Sequence, residues 1–354
     1  MSVFIIAEAG VNHNGSKERA YKLVDAAVSA GADAVKFQTF KADKLVTKNA
    51  RKAEYQKNTS SLGESQYDML KDLELPYDIH KELLVYCNKK KIQFMSTAFD
   101  HESLDFLVNE LNIDILKIPS GDITNGPLLL EHAKSGKKII LSTGMSTLGE
   151  IENALAVIAF GYIGKGEPSV KQFRKNYASV ESKNILKEKV TLLHCTTEYP
   201  ASLTDINLRA MDTVSAAFGL NVGYSDHSEG ITVPIVAVAR GATLIEKHFT
   251  LDKTLPGPDH KASLEPSELK EMVSNIRDVE VILGHGDKWP TEIELSNREI
   301  ARKSIVAAKQ IEKNETFSLD NITVKRPGNG INPMKFWSTL GTKAKKTYTE
   351  DELV

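Results

Sequence analysis

Short apolar runs that end in polar clusters recur about eight times along the first 285 residues, each followed by a stretch with helical periodicity. The runs occupy residues 3–8, 34–39, 93–97, 115–120, 138–143, 191–196, 222–225 and 243–248. They are rich in β-branched residues and do not alternate, which is the pattern of strands buried on both faces of an all-parallel sheet. Between them, residues 16–30 place Ala20, Leu23, Val24 and Ala27 on one helical face. Residues 77–89, 102–109, 127–134, 148–160, 208–218, 232–240 and 266–283 read as helices in the same way. Eight such units match a (β/α)8 TIM barrel, an α/β fold whose usual size is about 250 residues. A doubly wound open sheet is the rival arrangement. Against it, the first strand runs into Gly10-Val-Asn-His-Asn-Gly15, which lacks the glycine spacing of a dinucleotide-binding loop.

Two insertions break the rhythm. Residues 41–75, after the second strand, are polar and rich in Lys, Ser and Gln, and on a barrel they would form a long loop, a lid, on the catalytic face. Residues 164–189 are highly charged and read as a decoration of the opposite face. Near residue 286 the pattern changes. We expect a barrel over 1–285, a linker over 286–297 and a small module over 298–354, with short strands at 303–308, 311–315 and 322–326. The module holds 11 basic and 7 acidic residues, against 34 and 40 in the rest of the chain. Opposite charges of this kind suit a cap that docks over a barrel mouth.

The same balance leaves a formal charge of -2, so nothing in the composition points to nucleic acid. No apolar stretch approaches the roughly 20 residues that span a bilayer. Two cysteines, Cys87 and Cys195, cannot make a disulfide framework. With a β-type run from Val3 that carries no basic flank or cleavage signal, they lead us to expect a cytoplasmic protein without a membrane partner.

Barrel enzymes take their catalytic groups from the C-terminal ends of the strands. Here those ends supply Glu8, Asn12 and His13, then Lys36 and Gln38, Ser96 and Thr97, and Lys117, Ser120 and Asp122. The second half adds Ser142 and Thr143, then His194, Thr196 and Thr197, Ser225, Asp226 and His227, and Glu246 and His248. A polar group at every strand end describes one charged pocket. A lone strand-end histidine is more often a hydrogen-bonded packing residue. His227 and His248, however, end adjacent strands, and each stands beside a carboxylate, so we read them as a divalent metal site. Two nitrogens with the remaining positions oxygen or water favour Mn²⁺, with Mg²⁺ possible, over closed tetrahedral zinc. Lys36 and Lys117 lie in otherwise apolar strands, where an unpaired ammonium is costly. They are either snorkelling residues or cations for an anionic substrate or a Schiff base. Hydroxyls at Ser120, Ser142 and Thr97, and glycines at 121 and 144, would complete a cradle for a phosphate-carboxylate such as phosphoenolpyruvate.

At these residues the chain resembles the sialic acid synthase family, the phosphoenolpyruvate-condensing nonulosonate synthases. The matching segments are Ile6-Ala-Glu-Ala-Gly-Val-Asn-His-Asn-Gly15, Val35-Lys-Phe-Gln-Thr39, Ser96-Thr-Ala-Phe99, Lys117-Ile-Pro-Ser-Gly121 and Leu141-Ser-Thr-Gly-Met145. They continue with Leu193-His-Cys-Thr-Thr-Glu-Tyr-Pro200, Gly223-Tyr-Ser-Asp-His227, Glu246-Lys-His-Phe-Thr250, Pro256-Gly-Pro-Asp259 and Lys325-Arg-Pro-Gly-Asn-Gly330. The resemblance implies an antifreeze-protein-like (SAF) domain at the C-terminus. It implies aldol-like chemistry in which the alkene of phosphoenolpyruvate attacks the aldehyde of an open-chain acylamino sugar. It makes His227 and His248 the metal ligands, and Lys117, Ser120, Thr97 and Ser142 the phosphoenolpyruvate cradle with Lys36 beside them. Gln38, Tyr199 and Asp259 would hold the sugar together with Glu8, and Thr197 and Ser225 belong to the same binding set. Arg326 would reach the site of a partner subunit in a domain-swapped homodimer.

Two departures from the family pattern matter. Asp122 stands where many members carry Glu, so Glu8 and Asp122 compete as the carboxylate that handles water, beside Lys117. Thr197 stands where many N-acetylneuraminate synthases carry Asn, which is more similar to the legionaminic acid synthase branch. That branch implies 2,4-diacetamido-2,4,6-trideoxy-mannose as acceptor. The alternatives are N-acetylmannosamine as acceptor or, from another class, a non-catalytic carbohydrate-binding protein.

Overall fold

The structure is a computed structural model that describes residues 2–52 and 65–354. The chain divides into two compact units, residues 1–284 and 285–354. In the first, β1 (Phe4–Gly10), β2 (Ala34–Thr39), β3 (Gln93–Ala98), β4 (Ile115–Ile118), β5 (Lys138–Ser142), β6 (Val190–His194), β7 (Asn221–Asp226) and β8 (Leu244–His248) close in sequence order into a parallel barrel. Closure is made by β1 against β8, with Phe4 opposite Leu244 and Glu8 opposite His248.

The pleat explains what fills the ring. Residues two apart on a strand share a face. Ile6, Ala34, Met95, Ile140, Leu193 and Leu244 form one buried apolar cluster drawn from six strands. Two residues further along those strands stand Glu8, Lys36, Thr97, Ser142, Cys195 and Glu246, all of which line a cavity at the C-terminal mouth. A plug of apolar side chains therefore lies directly beneath a polar layer. On β7 the plug has no room for a side chain: a Cβ on Gly223 would lie 2.4 Å from the Leu244 carbonyl oxygen. The alternate residues point outward. Ile5, Val35, Phe37, Leu116, Ile139 and Leu192 pack under the surrounding helices in the main core.

Local chemistry sets the helix limits. The helix Lys17–Ala30 begins where the Ser16 side chain accepts from the Arg19 N–H and stops at Gly31, whose φ of 81° suits glycine. Residues 164–189, expected as a decoration, instead hold two helices, Val170–Tyr177 and Val180–Lys189. Leu186 is buried in the core, with Phe173 and Tyr177 packed against it.

Of the loop expected at 41–75, residues 53–64 lie outside the described residues. On either side of them are the helices Ala42–Leu45 and Gln66–Leu73, the latter opened by a reciprocal Ser65–Asp68 capping box. Met69 and Leu73 are buried with Val11 and Phe40, so this part of the insertion is apolar toward the barrel rather than polar throughout.

In the second unit, the helix Glu292–Ala301 occupies much of the segment expected as a linker and is opened by a Thr291–Glu294 capping box. Two strands, β9 (Ser304–Ala307) and β10 (Ile322–Lys325), pair antiparallel over a small core of Ile305, Ile311, Phe317, Ile322 and Tyr348. The strand expected at 311–315 is reduced to isolated bridges such as Ile311 with Tyr348. Among the described residues no helix is long and apolar enough to cross a membrane.

Buried histidines make the barrel sensitive to acid. His132, in the helix Gly126–Lys134, is fully buried and its Nδ1 lies 2.8 Å from the Leu128 carbonyl oxygen. Burial pushes its pKa down to about 4. The unfolded chain therefore binds a proton that the folded chain refuses, and stability falls as pH drops from about 6.5 toward 4. His132→Leu should flatten this loss by about 3 kcal/mol at pH 4, read from urea midpoints across that range. Parallel pH profiles for the two proteins would show that His132 is not a source of the acid sensitivity.

Candidate active site

The C-terminal mouth of the barrel opens into a cavity of about 500 Å³. Its floor is a chain of buried charges. The Lys36 Nζ lies 2.8 Å from the Glu8 carboxylate and 3.5 Å from that of Glu246, and it donates to the Thr97 hydroxyl at 3.0 Å. Lys117 lies 3.7 Å from the other Glu246 oxygen and donates to Ser142 at 2.7 Å. Ser225 donates to Glu246 at 3.0 Å. Strands β1, β2, β3, β4, β5, β7 and β8 each contribute one member, so the barrel itself sets the spacing.

The two carboxylates are driven apart. Burial pushes the Glu8 carboxyl up to about 7, with the Glu246 charge adding to the effect and Lys36 opposing it. Burial acts on Glu246 too, but Lys117 and Lys36 outweigh it and hold that group well below the usual carboxylate range. Burial also disfavours the Lys36 charge, yet Glu246 and Glu8 raise its pKa above the ordinary value, while burial leaves Lys117 below it. Glu8 is thus balanced between its two forms near pH 7, and in its protonated form two ammonium groups face a single carboxylate, an arrangement that suits an anion.

Beside this floor is a second donor group. The backbone N–H of Gly144 reaches the Ser120 hydroxyl at 2.9 Å, and Ser120 in turn lies 3.1 Å from the Cys195 sulfur. No side chain fits at position 144: a Cβ there would lie 2.5 Å from the Thr197 hydroxyl and 2.8 Å from that of Ser120. The Thr197 hydroxyl is itself buried without a hydrogen-bond partner.

The histidines sit on the β7–β8 side with ring centroids 5.6 Å apart. His227 donates from Nδ1 to the Thr196 carbonyl at 2.6 Å, which leaves Nε2 as the lone-pair nitrogen, and the Tyr199 hydroxyl donates to it at 3.0 Å. Tyr199 also stacks on the His227 ring at 4.1 Å. Burial lowers His227 to about 4, and burial with His227 nearby holds His248 well below the ordinary imidazole value, so both are neutral at pH 7. The His248 Nδ1 is buried with no hydrogen-bond partner, and the nearest Asp259 oxygen, 3.8 Å away, is beyond bonding distance. Burial also raises Asp259 to about 6. Two neutral imidazoles, one with an orphaned nitrogen, fit a divalent cation better than they fit a packed core. Among the described residues no group of three or more His, Cys, Asp or Glu forms a metal cage, so a cation there would take its other ligands from water or substrate.

The sequence-derived residues Glu8, Lys36, Gln38, Thr97, Lys117, Ser120, Asp122, Ser142, Thr197, Tyr199, Ser225, His227, His248 and Asp259 all line this cavity. Asp122 sits in the short turn Ser120–Asp122 after β4, half-buried and accepting from Asn125 at 3.1 Å. Arg326 belongs to the second unit, exposed on the loop after β10. Other strand-end groups turn away from the cavity. Asn12 donates to the Phe249 carbonyl and to Ser263, and His194 bonds the Ile206 carbonyl. Sequence reasoning missed Cys195, and it missed the apolar side of the cavity formed by Leu45, Met69, Leu70, Leu73 and Phe99. The spacing of Met69, Leu70 and Leu73 is the helical signal that could have revealed that side.

Residues 23–288 match the NeuB family and residues 302–354 the SAF domain. The chain belongs to the NeuB family. It is 51% identical to the N,N'-diacetyllegionaminic acid synthase of Campylobacter jejuni, over 99% of this chain and 98% of that one. It is 48% identical to the protein of the same name from Legionella pneumophila, over 97% and 90%. Among solved structures, the N-acetylneuraminic acid synthetase of Leptospira borgpetersenii is similar, at 36% identity and a TM-score of 0.66, with 84% of this chain and 90% of that one covered.

The charge chain at the floor of this NeuB-family barrel is also structural. Glu246→Gln should leave Lys117 without a carboxylate within 4 Å among the described residues and destabilise the fold by about 3 kcal/mol, measured by urea unfolding at pH 7. An unchanged midpoint would show that the lysines do not depend on Glu246 for their burial.

Proposed function

We propose that this protein is an N,N'-diacetyllegionaminic acid synthase, which condenses phosphoenolpyruvate with open-chain 2,4-diacetamido-2,4,6-trideoxy-mannose and releases phosphate. The observation that carries this reading is the cationic floor of Lys36 and Lys117, set beside two neutral histidines in a chain about half identical to two synthases of that name. The carbanion-like C3 of phosphoenolpyruvate forms a bond to the sugar aldehyde carbon, water adds at C2, and the C–O bond to phosphate breaks.

In this scheme Lys117, Ser142, Thr97, Ser120 and the Gly144 N–H bind the phosphate and carboxylate of phosphoenolpyruvate, with Lys36 beside them. Their hydroxyls already lie within 3.0 Å of an ammonium or amide donor. Gln38, Thr197, Tyr199, Ser225 and Asp259 orient the sugar. Glu8, raised by burial, and Asp122, raised in the same direction, are the carboxylates placed to handle the water at C2. His227 and His248 would hold a divalent cation, Mn²⁺ in preference to Mg²⁺, which when bound acts as a Lewis acid on the aldehyde oxygen. The two cysteines are free and buried, and we place the reaction in the cytoplasm. We further propose a domain-swapped homodimer in which Arg326 of one chain serves the barrel of the other.

Purified protein with phosphoenolpyruvate and Mn²⁺ should release phosphate with the diacetamido sugar in preference to N-acetylmannosamine. Release with neither sugar would overturn the assignment. His227→Ala should lower kcat by about 10³-fold and weaken Mn²⁺ binding measured by calorimetry. An active variant without metal would remove the cation from the scheme. Arg326→Ala should raise the sugar KM about 10-fold and leave that of phosphoenolpyruvate unchanged. Activity recovered on mixing Arg326→Ala with His227→Ala chains would support exchange between subunits, and no recovery would count against it.

A further inference from the structure

The cavity is divided by polarity. Ammonium, carboxylate and hydroxyl groups make its floor, whereas one side is built from the helices Ala42–Leu45 and Gln66–Leu73 and from Phe99 after β3. Met69 and Leu73 are 5% and 7% exposed and anchor this side beneath Val11 and Phe40. Leu45, Leu70 and Phe99 pack on that anchor but remain half-buried, and they line the cavity. The two short helices are tied to each other. Tyr67 donates to Asp43 at 2.7 Å, the Ala42 N–H donates to Glu74 at 2.7 Å, and Phe40 meets Phe99 edge-on at 6.1 Å. Nothing in the phosphoenolpyruvate chemistry needs an apolar surface at this place.

We infer that Leu70, with Leu45 and Phe99, is a specificity-determining surface that receives the methyl-bearing end of the acceptor sugar. The inference rests on the acceptor class proposed above. Relative to N-acetylmannosamine, that sugar carries a methyl in place of the C6 hydroxymethyl and a second acetamido group in place of the C4 hydroxyl. Against this wall a hydroxyl gives up water and gains no partner, which is costly. A methyl in the same place removes apolar surface from water, which is favourable. Gln66, four residues before Leu70 on the same helix face, also lines the cavity and brings an amide alongside for the acetamido carbonyl. The wall therefore selects by rejecting hydroxyls as much as by accepting methyls, while the charged floor treats both sugars alike.

The test compares kcat/KM for the two sugars in the wild type, Leu70→Gln and Leu70→Met, with Leu45→Asn as an independent second site. Leu70→Gln and Leu45→Asn should each reduce the preference for the diacetamido sugar about 10-fold, through loss on that sugar, with the phosphoenolpyruvate KM unchanged. Leu70→Met, which keeps the surface apolar, should retain the preference. Parallel loss on both sugars, or an unaltered ratio in both polar variants, would overturn the role of the wall and leave the synthase reading standing. A wild type that prefers N-acetylmannosamine would overturn the acceptor class and the inference together.

Discussion

Two lysines and two glutamates, all nearly removed from water, meet on top of an apolar plug inside a closed ring of strands. An isolated ammonium in that position is costly, and it persists only where a carboxylate and a hydroxyl face it. Lys36 has Glu8, Glu246 and Thr97, and Lys117 has Glu246 and Ser142. Glu246 faces both cations and so stays ionised, while Glu8, although closer to Lys36, has that one close ion-pair partner and is raised by burial. That unequal sharing leaves positive charge to spare for an anion. It also explains why the apolar plug is needed: it keeps solvent from reaching the charges from below.

The histidine pair follows a different logic. The His227 nitrogens are oriented by main-chain and phenolic partners, the His248 Nδ1 has no hydrogen-bond partner, and burial keeps both rings neutral. The histidines stand on one flank, next to Tyr199 and Asp259, and the charges of Lys36 and Lys117 act with burial to keep them neutral.

Much of this was legible in the sequence because a parallel barrel strand writes its layers in steps of two. Ile6 then Glu8, Ala34 then Lys36, Met95 then Thr97, and Leu244 then Glu246 each show an apolar residue followed two positions later by a polar one. The eight strands and the lining residues could be read in this way, with limits off by one or two positions. What could not be read was set by contacts distant in the chain. Asn12 and His194 look like site residues at their strand ends, but neighbouring loops claim their side chains. Leu70 and Phe99 look like ordinary core, and only the fold brings them to the cavity. The polar composition of 41–75 hid a short amphipathic helix, in which Met69, Leu70 and Leu73 alternate with Asp68, Lys71 and Asp72.

The seam between β1 and β8 has one more consequence. Glu8 comes from the first strand of the barrel, and Glu246 and His248 come from the last. During synthesis, Lys36 and Lys117 emerge long before the carboxylate they share. Until residue 246 has left the ribosome and the ring has shut, Lys36 has Glu8 alone as a close carboxylate among the described residues and Lys117 has none, so burying both is costly. The first half of the chain thus carries a built-in reluctance to collapse on itself, and binding competence arrives together with ring closure rather than strand by strand.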